Sequence, residues 1–230
     1  MKRIILFLLI TIFLQSYVNG QKQQLSICGP QNGSLLIIGG NTSSPEIYAK
    51  FLELAGGPEA KLVIIPTAIA DEYLLVDGAI EKIIKTFTSI GFKNIKVLHT
   101  RNPEEANTEE FVKPLRTANA VYFMGGRQWR IADGFLNTMA HKELFKVLDR
   151  GGVIGGSSAG ASIQGSYLVR GDTKTNVVMM GDHEEGLGFL KKEDWLIERL
   201  EIIQLPEGSE RFYLLGEGRV YDLKNRRVIK

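Results

Sequence analysis

A single cysteine, Cys28, cannot close an internal disulfide, so the chain has no disulfide framework. Three histidines and that one cysteine leave no stretch with zinc-ligand spacing, and no metal site is expected. Cofactor fingerprints are missing as well. Gly39-Gly40 lacks the spaced third glycine of a dinucleotide loop, and the glycine-rich segment from Gly151 lacks the Gly-Lys-Ser/Thr ending of a phosphate loop, so no cofactor is expected. Charge of one sign is not in excess. The 28 basic residues nearly balance the 26 acidic ones, and two of the basic residues, Lys2 and Arg3, sit in an N-terminal segment that holds no acid. A balanced chain gives no reason to expect a nucleic-acid partner. The apolar run over residues 4–14 is also shorter than the roughly 20 residues that span a bilayer.

That run, behind Lys2-Arg3 and ahead of Val18-Asn19-Gly20, reads as a signal peptide over residues 1–20. A retained anchor is the alternative. Cleavage implies a secreted or periplasmic protein with no stable membrane insertion, and it leaves Cys28 unpaired. Residues 21–33 form a short extension, and residues 34–230 read as one domain. Hydrophobic content of 44% with 23% charged residues is globular.

Five short runs in this domain are nearly continuous in apolar residues: 34–40, 61–67, 95–100, 120–126 and 152–156. Strands covered on both faces read this way. Between them, residues 45–54, 74–90, 108–116 and 128–148 carry helical spacing, with Pro45 at a helix start and Gly91 at a stop. Alternation of this kind implies a three-layer, doubly wound, mainly parallel α/β sheet with ligands beyond the carboxyl ends of its strands. Residues 176–180 suggest another strand, 187–190 remain ambiguous, and 211–215 with 219–223 read as a C-terminal hairpin. Gly39-Gly40, Gly125-Gly126 and the run from Gly155 to Gly160 are expected to gather at one edge.

Gly156-Ser157-Ser158-Ala159-Gly160 leaves a strand and enters a small-residue helix, the context of a nucleophile elbow. Small neighbours are required because backbone and adjacent strand approach closely there. Ser158 is then the candidate nucleophile, the Ala159 amide an oxyanion donor, and Gly126 the candidate second donor. A glycine-rich packing turn with Ser158 as a helix cap is the other reading.

The segment GGVIGGSSAGASIQGSYLVRGD, with YFMGGRQWRIADGF at 122–135 and the opening SLLIIGGN, resembles the cyanophycinase branch of the S51 serine peptidases. These are relatives of aspartyl dipeptidase with a fold akin to the class I glutamine-amidotransferase domain. The resemblance runs from about Gly33 to Gly188. It implies Ser158 as nucleophile, Ser157 beside it in the pocket, Gly126 and Ala159 as the oxyanion hole, and Gln128 as a substrate contact. It implies hydrolysis of peptide links next to aspartate, as when cyanophycinases release β-aspartyl-arginine from an arginyl-aspartate polymer. After the segment at Gly186–Leu190 the family continues into an Asp-Gln-His stretch that carries the base. Here Lys191-Lys192 lead almost directly to Asp194-Trp195, and that piece is missing.

An alcohol needs a base within about 2.6–3.2 Å. His183, among Asp182, Glu184 and Glu185, is the sole histidine after Ser158 and the candidate base; a loop histidine beside solvated acids is the alternative. His99 at a strand end is expected to be structural, and His141, beside Lys142 and Glu143, to face solvent. Arg127 and Arg130 flank Gln128-Trp129 and are candidates to attract a substrate carboxylate such as aspartate, Arg130 as the substrate contact, unless both arginines face water over a buried Trp129. Arg170 and Asp172 suggest a local ion pair. Two functions stay open: an exported serine hydrolase acting on a peptide, and a non-catalytic relative that binds an acidic or dipeptide-like ligand. A homodimer is the assembly allowed for.

Overall fold

In the computed structural model, the described residues are 29–40, 43–168 and 183–190, with the backbone of three further strands between 212 and 228. The expected signal peptide, Cys28, the strand at 176–180 and the Arg170–Asp172 pair lie outside them. No helix among the described residues is long and apolar enough to cross a membrane.

Strands β1 (Ser34–Ile38), β2 (Lys61–Ile65), β3 (Asn94–Val97), β4 (Ala120–Phe123) and β5 (Val153–Ser157) form a parallel sheet in the order β3-β2-β4-β5-β1. Beyond β1 follow β6 (Phe212–Gly216), parallel to it, and then β7 (Arg219–Asp222) and β8 (Arg227–Val228), each antiparallel to its neighbour. The β6–β7 pair is the C-terminal hairpin expected from the sequence.

Alternate residues along a strand point to opposite faces, which explains why these strands are apolar throughout. Leu35, Val63, Val121, Phe123 and Ile154 belong to one buried cluster, and Leu36, Leu62, Ile64, Tyr122 and Val153 to the other. The second face is covered by α1 (Pro45–Ala55) and α3 (Ala79–Ile90), through Ile47, Phe51, Ile83 and Phe87. Phe51 is fully buried against Tyr122, ring centres 5.4 Å apart. Gly155 makes room for this pair, since a Cβ there would stand 2.9 Å from the Phe51 ring.

Three helical runs are shorter than the periodicity predicts. The run 74–90 divides into α2 (Asp71–Leu74) and α3, because Gly78, at φ 77°, turns the chain before α3 starts. After α4 (Pro103–Ala106), the run 108–116 holds only the short α5 (Glu109–Val112), and Pro114 then stands ahead of a 3₁₀ turn at Leu115–Thr117. The run 128–148 becomes α6 (Gln128–Phe135) and α7 (Met139–Asp149). Here Asn137 adopts φ 60°, and Thr138 caps α7 by accepting from the His141 amide at 3.2 Å. Gly91 closes α3 in the left-handed conformation, as expected.

Candidate active site

β5 delivers Ser157 and Ser158 to the carboxyl edge of the sheet, between the ends of β1 and β4. The chain then reverses into α8 (Ala159–Ser162). Ser158 carries the turn, with φ 52° and ψ −116°, and is exposed. Non-glycine residues rarely hold such angles unless the surroundings fix them. They do so here: the Ser158 amide donates to Ile38 O at 2.9 Å, and Ser158 O accepts from the Ala161 and Ser162 amides at 2.9 and 3.0 Å. The flanking glycines follow from the same crowding. A Cβ on Gly156 would run into the Gly160 carbonyl, and one on Gly160 into the Phe123 carbonyl.

The end of β4 closes in from the side. A Cβ built on Gly125 would sit 3.3 Å from Ser158 Cβ, so the two main chains touch at this point. Gly126, at φ 144°, lies against the Ala68 carbonyl, which accepts from the Arg127 amide at 2.9 Å. Neither the Gly126 nor the Ala159 amide hydrogen-bonds another described residue. Two free main-chain donors at the edge that presents an exposed serine are the ingredients of an oxyanion hole. Gln128 is buried at the first turn of α6. Ser157 is half-buried against Tyr122, whose phenol is pushed far up by burial first and by Tyr48 next, with a hydrogen bond to Ser157 opposing them. That phenol stays a neutral hydrogen-bonding group.

His183 is not hydrogen-bonded to Ser158 among the described residues. Its Nε2 donates to Asp133 Oδ1 at 2.6 Å, its ring stacks near Trp129 at 5.9 Å, and its Nδ1 is buried without a partner. The carboxylate that orients it is therefore on α6, where the sequence suggested its own loop neighbours. Asp133 was missed because it lies 50 residues away in the chain.

His141 corrects an expectation. It is half-buried, not solvent-facing: Nδ1 accepts from the Asn137 amide at 3.1 Å, and Nε2 donates to Leu187 O at 2.8 Å. Phe145 and Phe189 flank the ring. His99 is structural, its Nδ1 3.0 Å from Thr67 Oγ1, and burial first and Arg101 second lower its proton affinity. Arg130 is partly buried, donates Nη1 to Ala68 O at 3.0 Å, and lies over the Trp129 ring. Among the described residues no group of three or more His, Cys, Asp or Glu side chains is placed to hold a metal ion.

A parallel α/β sheet whose central strand ends in a strained, exposed serine defines a scaffold of the nucleophile-elbow kind. The profile of Peptidase family S51 matches residues 35–194, and the chain belongs to that family. It is similar to a cyanophycinase of Geminocystis herdmanii (strain PCC 6308), 28% identical over 142 residues, which are 60% of this chain and 51% of that protein. A cyanophycinase of Synechococcus elongatus is 25% identical over 164 residues, 69% of this chain and 50% of its own. The chain spans about half the length of the curated relatives it matches. The crystal structure of a peptidase from an acI-B1 Actinobacterium shares the fold, with a TM-score of 0.52, 24% identity and coverage of 70% of this chain and 66% of that one.

Proposed function

We propose that this protein is an exported, cyanophycinase-like serine hydrolase that cleaves aspartyl or β-aspartyl peptide links through Ser158. The observation that carries the reading is the exposed Ser158 on a strained turn, at the edge that also holds the amides of Gly126 and Ala159, neither bonded to another described residue. In the reaction, Ser158 Oγ attacks the scissile carbonyl while its proton passes to His183. The oxyanion is received by the two amides, and Gln128 and Ser157 contact the substrate. The protonated His183, stabilised by Asp133, then protonates the leaving amine, and water attacking the acyl ester restores Ser158. Because His183 holds Asp133 and not Ser158 in the free chain, this route requires the two to meet in the substrate complex.

That same observation favours a second reading, a relative that binds an acidic or dipeptide-like ligand without cleaving it. A fluorophosphonate probe separates the two. The hydrolase reading expects covalent labelling that Ser158→Ala abolishes and His183→Ala slows by about two orders of magnitude or more. No labelling at neutral pH sinks it and leaves the binder, while labelling at an unchanged rate in His183→Ala removes His183 as the base. Export is tested separately, by the mass of the chain recovered outside the cytoplasm: loss of residues 1–20 is expected, and an intact N-terminus contradicts it.

A further inference from the structure

The geometry points to an anion subsite beside Ser158, built by Arg101 and Arg130, that takes a substrate carboxylate lying outside the scissile bond. The two guanidinium groups hang from consecutive carbonyls of the turn after β2: Arg130 Nη1 donates to Ala68 O at 3.0 Å, and Arg101 Nη2 to Ile69 O at 2.6 Å. The Ala68 carbonyl is also the one that packs on Gly126, next in the chain to the glycine that abuts Ser158. With adjacent α-carbons about 3.8 Å apart, the Ala68 carbonyl that anchors Arg130 lies within roughly 12 Å of Ser158. An extended peptide advances about 3.3–3.6 Å per residue, so a carboxylate two residues from the scissile carbonyl covers about 7 Å of that span before its own side chain and the guanidinium are counted.

The donors here outnumber their acceptors. Arg101 is ion-paired to Asp71 at 2.8 Å, through a side chain that is 54% exposed, and Arg130 has no ion pair among the described residues. The Nε atoms of both arginines and Nε1 of Trp129 are buried without hydrogen-bond partners among the described residues. Arg130 lies over the Trp129 ring, its guanidinium carbon 5.2 Å from the centre, so the fork is held in place before any ligand arrives. Burial, and after it the Arg101 charge, make Arg130 hold its proton less firmly than an ordinary arginine. A carboxylate offers the acceptors and the opposite charge that the pair lacks, and guanidinium groups bind it bidentately.

The subsite rests on the hydrolase reading for its substrate but not for its test, since binding needs no turnover; failed fluorophosphonate labelling would therefore leave the subsite standing. The full-length Ser158→Ala protein is titrated calorimetrically with β-aspartyl-arginine and with its C-terminal amide, which lacks one carboxylate. The free acid is expected to bind about tenfold tighter, Arg101→Gln and Arg130→Gln each to reduce that preference below about threefold, and Arg130→Lys to leave an intermediate value. Equal affinity for acid and amide, no binding of either, or an intact preference in the glutamine variants overturns the subsite. Should a glutamine variant fail to melt cooperatively, the Ser158→Ala titration is repeated from about 50 to about 300 mM NaCl. A preference that shrinks with salt supports the subsite, and one that does not move refutes it.

Discussion

Replacing Ser158 by glycine should make the protein more stable, and replacing it by alanine should not. At φ 52° and ψ −116°, Ser158 occupies backbone space that a Cβ disfavours by about 1–3 kcal/mol and that glycine enters freely. Its hydroxyl has no hydrogen bond to another described residue, so alanine, which keeps the Cβ and the strain, should leave stability within about 0.5 kcal/mol. Glycine releases the strain but adds about 0.5–1 kcal/mol of chain entropy to the unfolded state, for a net gain of about 0.5–2 kcal/mol. In a chain of this size each kcal/mol moves Tm by about 2–4 °C, so a rise of about 1–8 °C is expected. Calorimetric melts of the natural protein and both variants at pH 7 read the order directly. A glycine variant that melts at or below the alanine variant refutes the claim that position 158 stores backbone strain. It would also remove the main structural argument that this serine is held in place for chemistry.

Three other perturbations probe the surroundings. Gly126→Ala should destabilise by more than about 2 kcal/mol and abolish fluorophosphonate labelling, because a Cβ at φ 144° runs into the Ala68 carbonyl. Gly40→Ala, where the added carbon meets open space, should stay within about 0.5 kcal/mol, and equal effects on the two melts would contradict this account. Since burial lowers the proton affinity of His99 in the folded state, the unfolded chain binds more protons below its value of 6.5. The His99 contribution is therefore present above that pH and lost as pH falls through the folded value. Urea midpoints at about pH 5 and about pH 7.5 should differ less in His99→Gln than in the natural protein, and an unchanged difference would count against it. His141→Ala should cost about 1–3 kcal/mol by stranding the Asn137 amide and the Leu187 carbonyl, and should speed exchange at the Leu187 and Gly188 amides, which bond Ile163 O and Gly165 O. Protection unchanged at those two amides would show that His141 does not clamp the segment.

What could be read from the sequence was whatever local sterics dictate. The strands were legible because burial on both faces forces apolar continuity, and the elbow was legible because the Gly160 and Phe123 carbonyls leave no room for side chains at Gly156 and Gly160. The break at Asn137 carried a signal in Thr138, a capping residue, but the apolar periodicity of 128–148 ran across it and won. His141 was misread through its polar neighbours in sequence, although the helical partner four residues on is Phe145, on the face that the ring in fact shares. No such local signal exists for Asp133 with His183, or for Arg101 with Arg130, because each joins a residue of α6 to a segment distant in the chain. Fold and the strained turn at Ser158 were therefore readable, while the His183–Asp133 contact and the shared anchorage of Arg101 and Arg130 were not, since the first two depend on burial and crowding within a few residues and the last two on long-range contacts. A sequence can thus display the elbow plainly and give no local sign of the groups that would serve it. Labelling that Ser158→Ala abolishes therefore separates a hydrolase from a binder, while the labelling rate of His183→Ala tests the base alone.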